Sequence, residues 1–325
     1  TYVCTDATTD ANVWTNVGGG DGDVQAWNQF QSTNYGYCIG GGAPATNTMD
    51  RWSLASDGNA TDWGDLAVNG NGMNGHNSET HGYAHPINTG IVYKKAFASD
   101  VTSGMPASGA TMTTEASFAQ YGSCNSTTHG YKLGGWGTSP STNNLIERIS
   151  FANDDNAEDH GDLATGRAQL SGHQSETYGY GAGGYTGSYV NSTVIDKFSF
   201  ASNTTGTNIA NIVQAGESHG GNSSSTNGYT TGGNLGPPSW GYKTYIEKFN
   251  YASETDATNA GDLLFGVGSV AQADAITYGY IAGGGPGNHA GEYDDIQKHS
   301  FTSDGNATNI GNLTLARRNV AGLNN

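Results

Sequence analysis

Residues 178–184 read YGYGAGG, and near-copies of these words return along the chain. They read YGYCIGG at 35–41, HGYKLGG at 129–135, NGYTTGG at 227–233 and YGYIAGG at 278–284. One further copy departs from the pattern, reading HGYAHPINTG at 81–90. The Tyr of each Gly-Tyr pair falls at 37, 83, 131, 180, 229 and 280, so the period is 46 to 51 residues. Upstream lies a polar stretch, such as GHNSET before His81 and GHQSET before Tyr178. Downstream, after a loop of variable length, comes an aromatic segment: DRWSLASD, KKAFASD, ERISFAND, DKFSFASN, EKFNYASE and QKHSFTSD. A turn and a short apolar segment follow, as in NATDWGDL, NAEDHGDL and DATNAGDL.

Each repeat therefore holds four short segments bounded by Gly, Asn, Asp and Ser, which is the signature of strands joined by tight turns. No segment sustains an apolar period of 3.6, so almost no helix is expected. Four strands in each repeat of this length make one blade of a β-propeller. The fold class is thus all-β, a propeller of four-stranded blades forming a single domain over 1–325. The repeat units run about 23–66, 67–112, 113–163, 164–212, 213–263 and 264–313. Residues 314–325 look like an inner strand and 1–22 like outer strands, so together they are expected to close the ring as a seventh blade. Six blades, with both tails reaching elsewhere, is the alternative. Leu54, Phe97, Phe151, Phe200, Tyr251 and Phe301 share one strand position, and Trp52, Ile149, Phe198 and Phe249 stand two residues earlier. Both sets are expected between blades.

The order of features resembles the kelch-type propeller, in which a second strand ends in Gly-Gly and a variable loop leads to an aromatic third strand. The family's Tyr-Asp pair on strand three and its regular Trp on strand four are missing; only Trp63 suggests the latter. The wording FASDGNATDxGDL followed by TYGYxxGG resembles tandem repeats in structural proteins of marine bacteriophages, those of cyanobacteria especially. That resemblance implies a virion or other extracellular location, with other copies of the chain or other virion or filament subunits as partners.

Composition narrows the function. Leu, Ile, Val and Phe number 47 of 325, about 14%, while Gly numbers 51. Small residues and regularly placed aromatics must then do the packing. With 12 Lys+Arg against 29 Asp+Glu the net charge is −17, which argues against nucleic acid as a partner. No apolar run is long enough for a membrane helix, so no membrane insertion is expected. Three cysteines, Cys4, Cys38 and Cys124, form neither a disulfide framework nor a zinc motif; only a Cys4–Cys38 pair is conceivable.

In a four-stranded blade the loops between strands 2 and 3 share one face with those between strand 4 and the next strand 1. The 2–3 loops vary most and carry aromatics outside the repeat: Trp136, Tyr185, Tyr189, Trp240, Tyr242 and Tyr293. Aromatic faces flanked by Asn, Asp and Gly suit saccharides, so these six are the candidate ligand-binding residues. The competing reading is that they pack on their own loops. Asp57, Asn59 and Asp62 in the turn SDGNATD are candidate calcium ligands, although Asp-Gly and Asn serve a tight turn without metal. No other cofactor is expected.

No catalytic set emerges. A sialidase needs converging arginines, but Arg51 and Arg148 share one repeat position and Arg167 and Arg317 another. A copper oxidase needs axial Tyr and His, but His76 and His173 are repeat-equivalent, as are His81 and His129. The expectation is a non-enzymatic extracellular or virion-displayed propeller, structural or adhesive. The alternatives are a secreted bacterial carbohydrate-binding or filament-forming propeller and a polysaccharide hydrolase or lyase.

Overall fold

The computed structural model describes residues 2–6, 13–16, 31–42, 45–86, 89–99, 103–112, 122–136, 142–188, 190–237, 239, 241–286 and 291–325. They contain no helix. Six four-stranded antiparallel sheets form the blades of a propeller. Blade 2 is built from Met73–Asn77, His81–Pro86, Ile91–Ala96 and Ala107–Thr111. Blades 3, 4, 5 and 6 follow in the same order over 122–162, 171–211, 220–262 and 271–312. Blade 1 joins the two ends of the chain: Ala321–Asn324 is its innermost strand, and Tyr35–Ile39, Thr46–Ser53 and Thr61–Gly70 lie outside it. The six innermost strands neighbour one another in a closed circle.

The blade count is therefore six, the alternative to the seven favoured by sequence. Residues 321–324 do supply an inner strand, as expected, but they take the place of the first repeat's own inner strand, and the ring is complete without a seventh blade. Tyr2–Asp6 and Val13–Asn16 pair with each other and, among the described residues, with no other strand. Cys38 and Cys124 are buried free thiols, so Cys38 is not in a disulfide.

The repeated words have local causes. In the Gly-Gly pairs ending strand 2, the first glycine has φ between +58° and +66° and the second between +90° and +130°, a backbone that L side chains resist. The glycine of Gly-Tyr leaves room for a ring from its own blade: a Cβ at Gly36, Gly179, Gly228 or Gly279 would overlap Trp52, Phe198, Phe249 or His299. The tyrosine itself stacks on the ring directly after the third strand of the next blade. Tyr37–Phe97, Tyr83–Phe151, Tyr131–Phe200, Tyr180–Tyr251 and Tyr229–Phe301 have centroids 4.6–5.1 Å apart at 18–28°. Each such stack adds about 0.5–1.5 kcal/mol beyond burial. At the closing interface Tyr280 instead meets Trp52, 6.5 Å away, and donates to the Leu54 carbonyl at 3.3 Å. Both aromatic positions thus lie between blades as expected.

Neighbouring innermost strands belong to separate sheets and share no ladder, so side chains tie them together. One position reads Asn77, Asn125, Gln174, Ser223, Asp274 and Asn324, an oxygen-bearing residue in every blade. The backbone N–H groups of Asn125, Gln174, Ser223 and Asp274 each donate to the equivalent side-chain oxygen of the next blade, at 3.1–3.4 Å. These bonds satisfy donors that would otherwise be buried without a partner.

Candidate functional site at the channel mouth

Among the described residues, the 2–3 loops and the strand 4 to strand 1 loops meet on one face, around the mouth of the ring of inner strands. At the inner edge of that mouth a ring of residues takes left-handed backbone: Gly72, Gln169, Ser218, Ser269 and Asn319 have φ of +65°, +58°, +58°, +59° and +56°. Four of these are not glycine, an unusual concentration of strain. Hydrogen bonds hold it, because the N–H groups of Ser218, Ser269 and Asn319 donate to the carbonyls of Gln169, Ser218 and Ser269 at 2.7, 2.9 and 2.9 Å. Gln169, Ser218, Ser269 and Asn319, with the first residues of the inner strands, line an open depression.

Four of the six sequence-predicted aromatics are described, all half-buried and all on this face. Trp136 and Tyr185, from the loops of blades 3 and 4, pack on each other with centroids 5.0 Å apart. The Tyr293 ring packs 4.2 Å from Phe265. The Tyr242 ring lies across Gly268, where an added Cβ would come within 3.0 Å of it. Burial raises the Tyr242 phenol pKa; Arg318 opposes that rise and Glu217 adds to it. The structure thus brings the four to one rim but not into one cluster: Trp136 and Tyr185 pair, whereas Tyr293 packs on Phe265 and Tyr242 on Gly268. Tyr189 and Trp240 lie outside the described residues.

The calcium candidates each have a protein partner. Asp57 pairs with Lys298 of blade 6 at 2.6 Å. Asn59 Oδ1 accepts from the Asn312 N–H at 3.1 Å, also in blade 6. Asp62 Oδ1 accepts from its own turn at Gly64, 2.7 Å away. Their equivalents do the same elsewhere, as with Asn306 on Asp262 and Asp256 on Asn211. The SDGNATD turn therefore fastens each blade to the outer strand of the one before it.

All twelve Lys and Arg residues are held inside this frame. Lys95, Lys132, Arg167, Lys243 and Arg317 are buried. Of these, Arg167 pairs with Asp196 at 2.8 Å, Lys132 with Glu147 at 2.6 Å and Lys243 with Glu247 at 3.3 Å. Lys94, Arg148, Lys197, Lys248, Lys298 and Arg318 pair with Asp154, Glu158, Glu254, Asp304, Asp57 and Glu292. Arg51 lies over the Tyr35 ring, 4.6 Å from its centroid. The five arginines do not converge.

Sequence reasoning passed over part of the rim. Residues directly after the Gly-Gly pairs bridge residues that precede the inner strands: Tyr185 with Ala168, Asn234 with Glu217, Gly285 with Gly268 and Gly42 with Arg318. Aligning those two positions across the repeats would have exposed Glu217, Asn234 and Arg318, because the flanking words are alike while these residues are not.

No protein-family model matches the chain, and no curated protein matches its sequence. Among solved structures it is similar to one described as the structure of YjhT, with a TM-score of 0.63 over 79% of this chain and 88% of that one, at 12% identity. That likeness is one of fold, and with the blade arrangement it supports a β-propeller.

Proposed function

We propose that this propeller is a non-enzymatic module displayed outside a cell, on a virion, whose 2–3 loop face meets a host-surface glycan. The kelch-like order of the repeats and the phage-like wording of their turns motivate the setting. The observation that carries the reading is the Trp136–Tyr185 pair: two half-buried rings on adjacent variable loops at the channel mouth. A ring pair of this kind offers C–H stacking, and the polar residues lining the mouth offer hydroxyl partners. The engagement of every Lys and Arg within the fold disfavours an anionic ligand. A secreted bacterial carbohydrate-binding propeller would use the same face.

A second reading rests on Val190, Val213, Leu264 and Leu315, which are exposed in the loops of that face. Apolar groups exposed around a rim suit contact with a neighbouring subunit, and the propeller would then be a building block of a virion or filament. Electron microscopy of native particles separates the two. Isolated propellers with the loop face outward, together with retention on a glycan array, support adhesion. A regular array with that face buried, and no glycan retained, overturns it in favour of assembly.

A further inference from the structure

Six internal repeats serve as six copies of one frame. A residue type constant across them holds the frame, and one that changes while the backbone stays the same is free for another task. At the rim, the backbone bridge just described is identical in blades 4, 5, 6 and 1. Its side chains are Ala168 with Tyr185, Glu217 with Asn234, Gly268 with Gly285, and Arg318 with Gly42. Alanine and glycine suffice for the bridge, so Glu217 is not there to make it.

Glu217 is also costly. Its bonded neighbour is the Asn234 amide, 3.3 Å away, and among the described residues no ion pair compensates its partial burial. Burial pushes its carboxyl up to about 7. Two residues on, His219 is 8% exposed, and among the described residues neither ring nitrogen has a hydrogen-bond partner. Equivalent positions hold Met73, Leu170, Val270 and Val320, which fill the same wall with carbon. The His219 ring lies under the bridge, against Gly216 and Gly233, the residues beside Glu217 and Asn234. One loop thus carries two polar side chains where its counterparts in blades 4 and 6 have Ala168 with Leu170 and Gly268 with Val270. Local rules broken without a structural return mark a functional site.

The geometry assembles that site. Asn234 bridges Glu217 on one side and Tyr242 on the other, so the three form a short three-chain sheet. Directly opposed residues in antiparallel pairing project to the same face, which sets carboxyl, amide and phenol side by side. Next to them blade 6 contributes only Gly268 and Gly285. The Tyr242 ring crosses the first of these, and the Arg318 side chain passes over the second with Cδ 3.5 Å from where a Cβ would stand. Arg318 is partnered by Glu292 at 3.7 Å. An anionic ligand is disfavoured by Glu217 and by the pairing of Arg318 with Glu292. The amide of Asn234 and the phenol of Tyr242 each donate and accept, which suits a neutral, hydroxyl-rich group whose hydroxyls do the same.

We propose that Glu217, Asn234 and Tyr242, with Arg318 at the far edge, form a subsite for one unit of a neutral saccharide at the channel mouth. The proposal rests on the glycan-binding reading and assigns it a sector separate from the Trp136–Tyr185 pair. The test uses full-length protein and immobilised glucan, mannan, galactan and xylan oligosaccharides beside their uronic-acid counterparts. Glu217→Gln and Tyr242→Phe keep shape and are checked for unchanged melting temperature. Wild type should retain a neutral oligosaccharide in preference to the uronic forms, and each substitution should weaken retention about tenfold, the value of one hydrogen bond to a polar ligand group. Retention weakened by Trp136→Ala but untouched by both substitutions overturns the subsite and leaves the glycan reading standing. Retention of nothing by wild type overturns both. Preference for the uronic forms overturns the neutral assignment.

Discussion

Arg317 donates from Nη1 to Asp50 Oδ2 at 2.9 Å, both side chains are buried, and the bond ties the last loop of the chain to the third strand of blade 1. The same guanidinium donates to the Gly40 and Cys38 carbonyls at 2.8 and 3.1 Å. Arg167 repeats the arrangement within the ring, pairing with Asp196 and donating to the Gly183 and Val194 carbonyls at 2.8 and 2.6 Å. A motif that elsewhere fastens one blade to the next is reused to close the circle.

Removing one partner strands a buried charge, so Arg317→Met should lower unfolding free energy by about 3–5 kcal/mol. Asp50→Leu added to it should recover much of that loss, because no orphan charge then remains. Urea unfolding of the single and double variants measures both. A single-variant cost below about 1 kcal/mol would mean that water reaches the pair and screens it.

Asp274 is the lone carboxyl in the inner ring of side-chain acceptors. It accepts from Asn222 Nδ2 at 2.8 Å and from the Ser223 N–H at 3.1 Å, yet burial pushes its carboxyl up to about 7. A carboxyl raised on folding binds its proton more tightly in the native state. Its contribution is therefore complete below the unfolded value of about 4 and is lost as pH rises through the folded one. The urea midpoint should fall between pH 5 and pH 8. Asp274→Asn should flatten that fall by an amount on the order of 2–3 kcal/mol. Equal slopes in the two proteins would show that the carboxyl is solvated in the native state.

The partners of Asp57, Asn59 and Asp62 lead to an outcome opposite to a metal-held turn. Asn59→Ala removes the acceptor of the Asn312 N–H and should cost about 1 kcal/mol. The cost should be the same in calcium and in EDTA, and EDTA should leave the wild-type melting temperature unchanged. Differential scanning calorimetry in both buffers reads all three quantities. A drop in EDTA, lost in the Asn59 variant, would return the turn to the status of a calcium site.

The blade was legible because its demands are local. Gly-Gly answers a backbone conformation, Gly-Tyr answers a ring and its neighbour, and both recur wherever the geometry does. Ring closure was harder to read. The segment ending in Ala321–Asn324 reads as an inner strand, but which outer strands it joins depends on circumference, and no residue pattern states that. Residues 1–22 read as outer strands of a further blade, whereas the inner strand they would need already serves Tyr35–Ile39. The candidate site was half legible. Aromatics outside the repeat draw the eye, so Trp136, Tyr185, Tyr242 and Tyr293 were found. Glu217 and Asn234 are ordinary surface residue types, and only the bridge between two loops distant in sequence sets them beside Tyr242.

At one repeated position, which reads Gly75, Ser123, Gly172, Gly221, Gln272 and Gly322, the glycines face the backbone of a neighbouring inner strand at close range. A Cβ on Gly322 would overlap the Gln272 backbone, and one on Gly172 the Ser123 backbone. Backbone cannot swing aside as a side chain can, so the strands themselves would have to separate. Gly322→Ala should therefore cost about 3 kcal/mol or more, above the usual range for a single added methyl. It should act at the closing blade, where the two ends of the chain meet. Gly58→Ala is the control: its Cβ would meet nothing within 4 Å, and stability should hold or rise by about 0.5 kcal/mol. Limited proteolysis adds a spatial readout. If the ring closes through Ala321–Asn324, Gly322→Ala should expose the last strand to cleavage while Gly58→Ala does not. Protection of that strand in both variants would mean that it can leave the innermost position without opening the propeller.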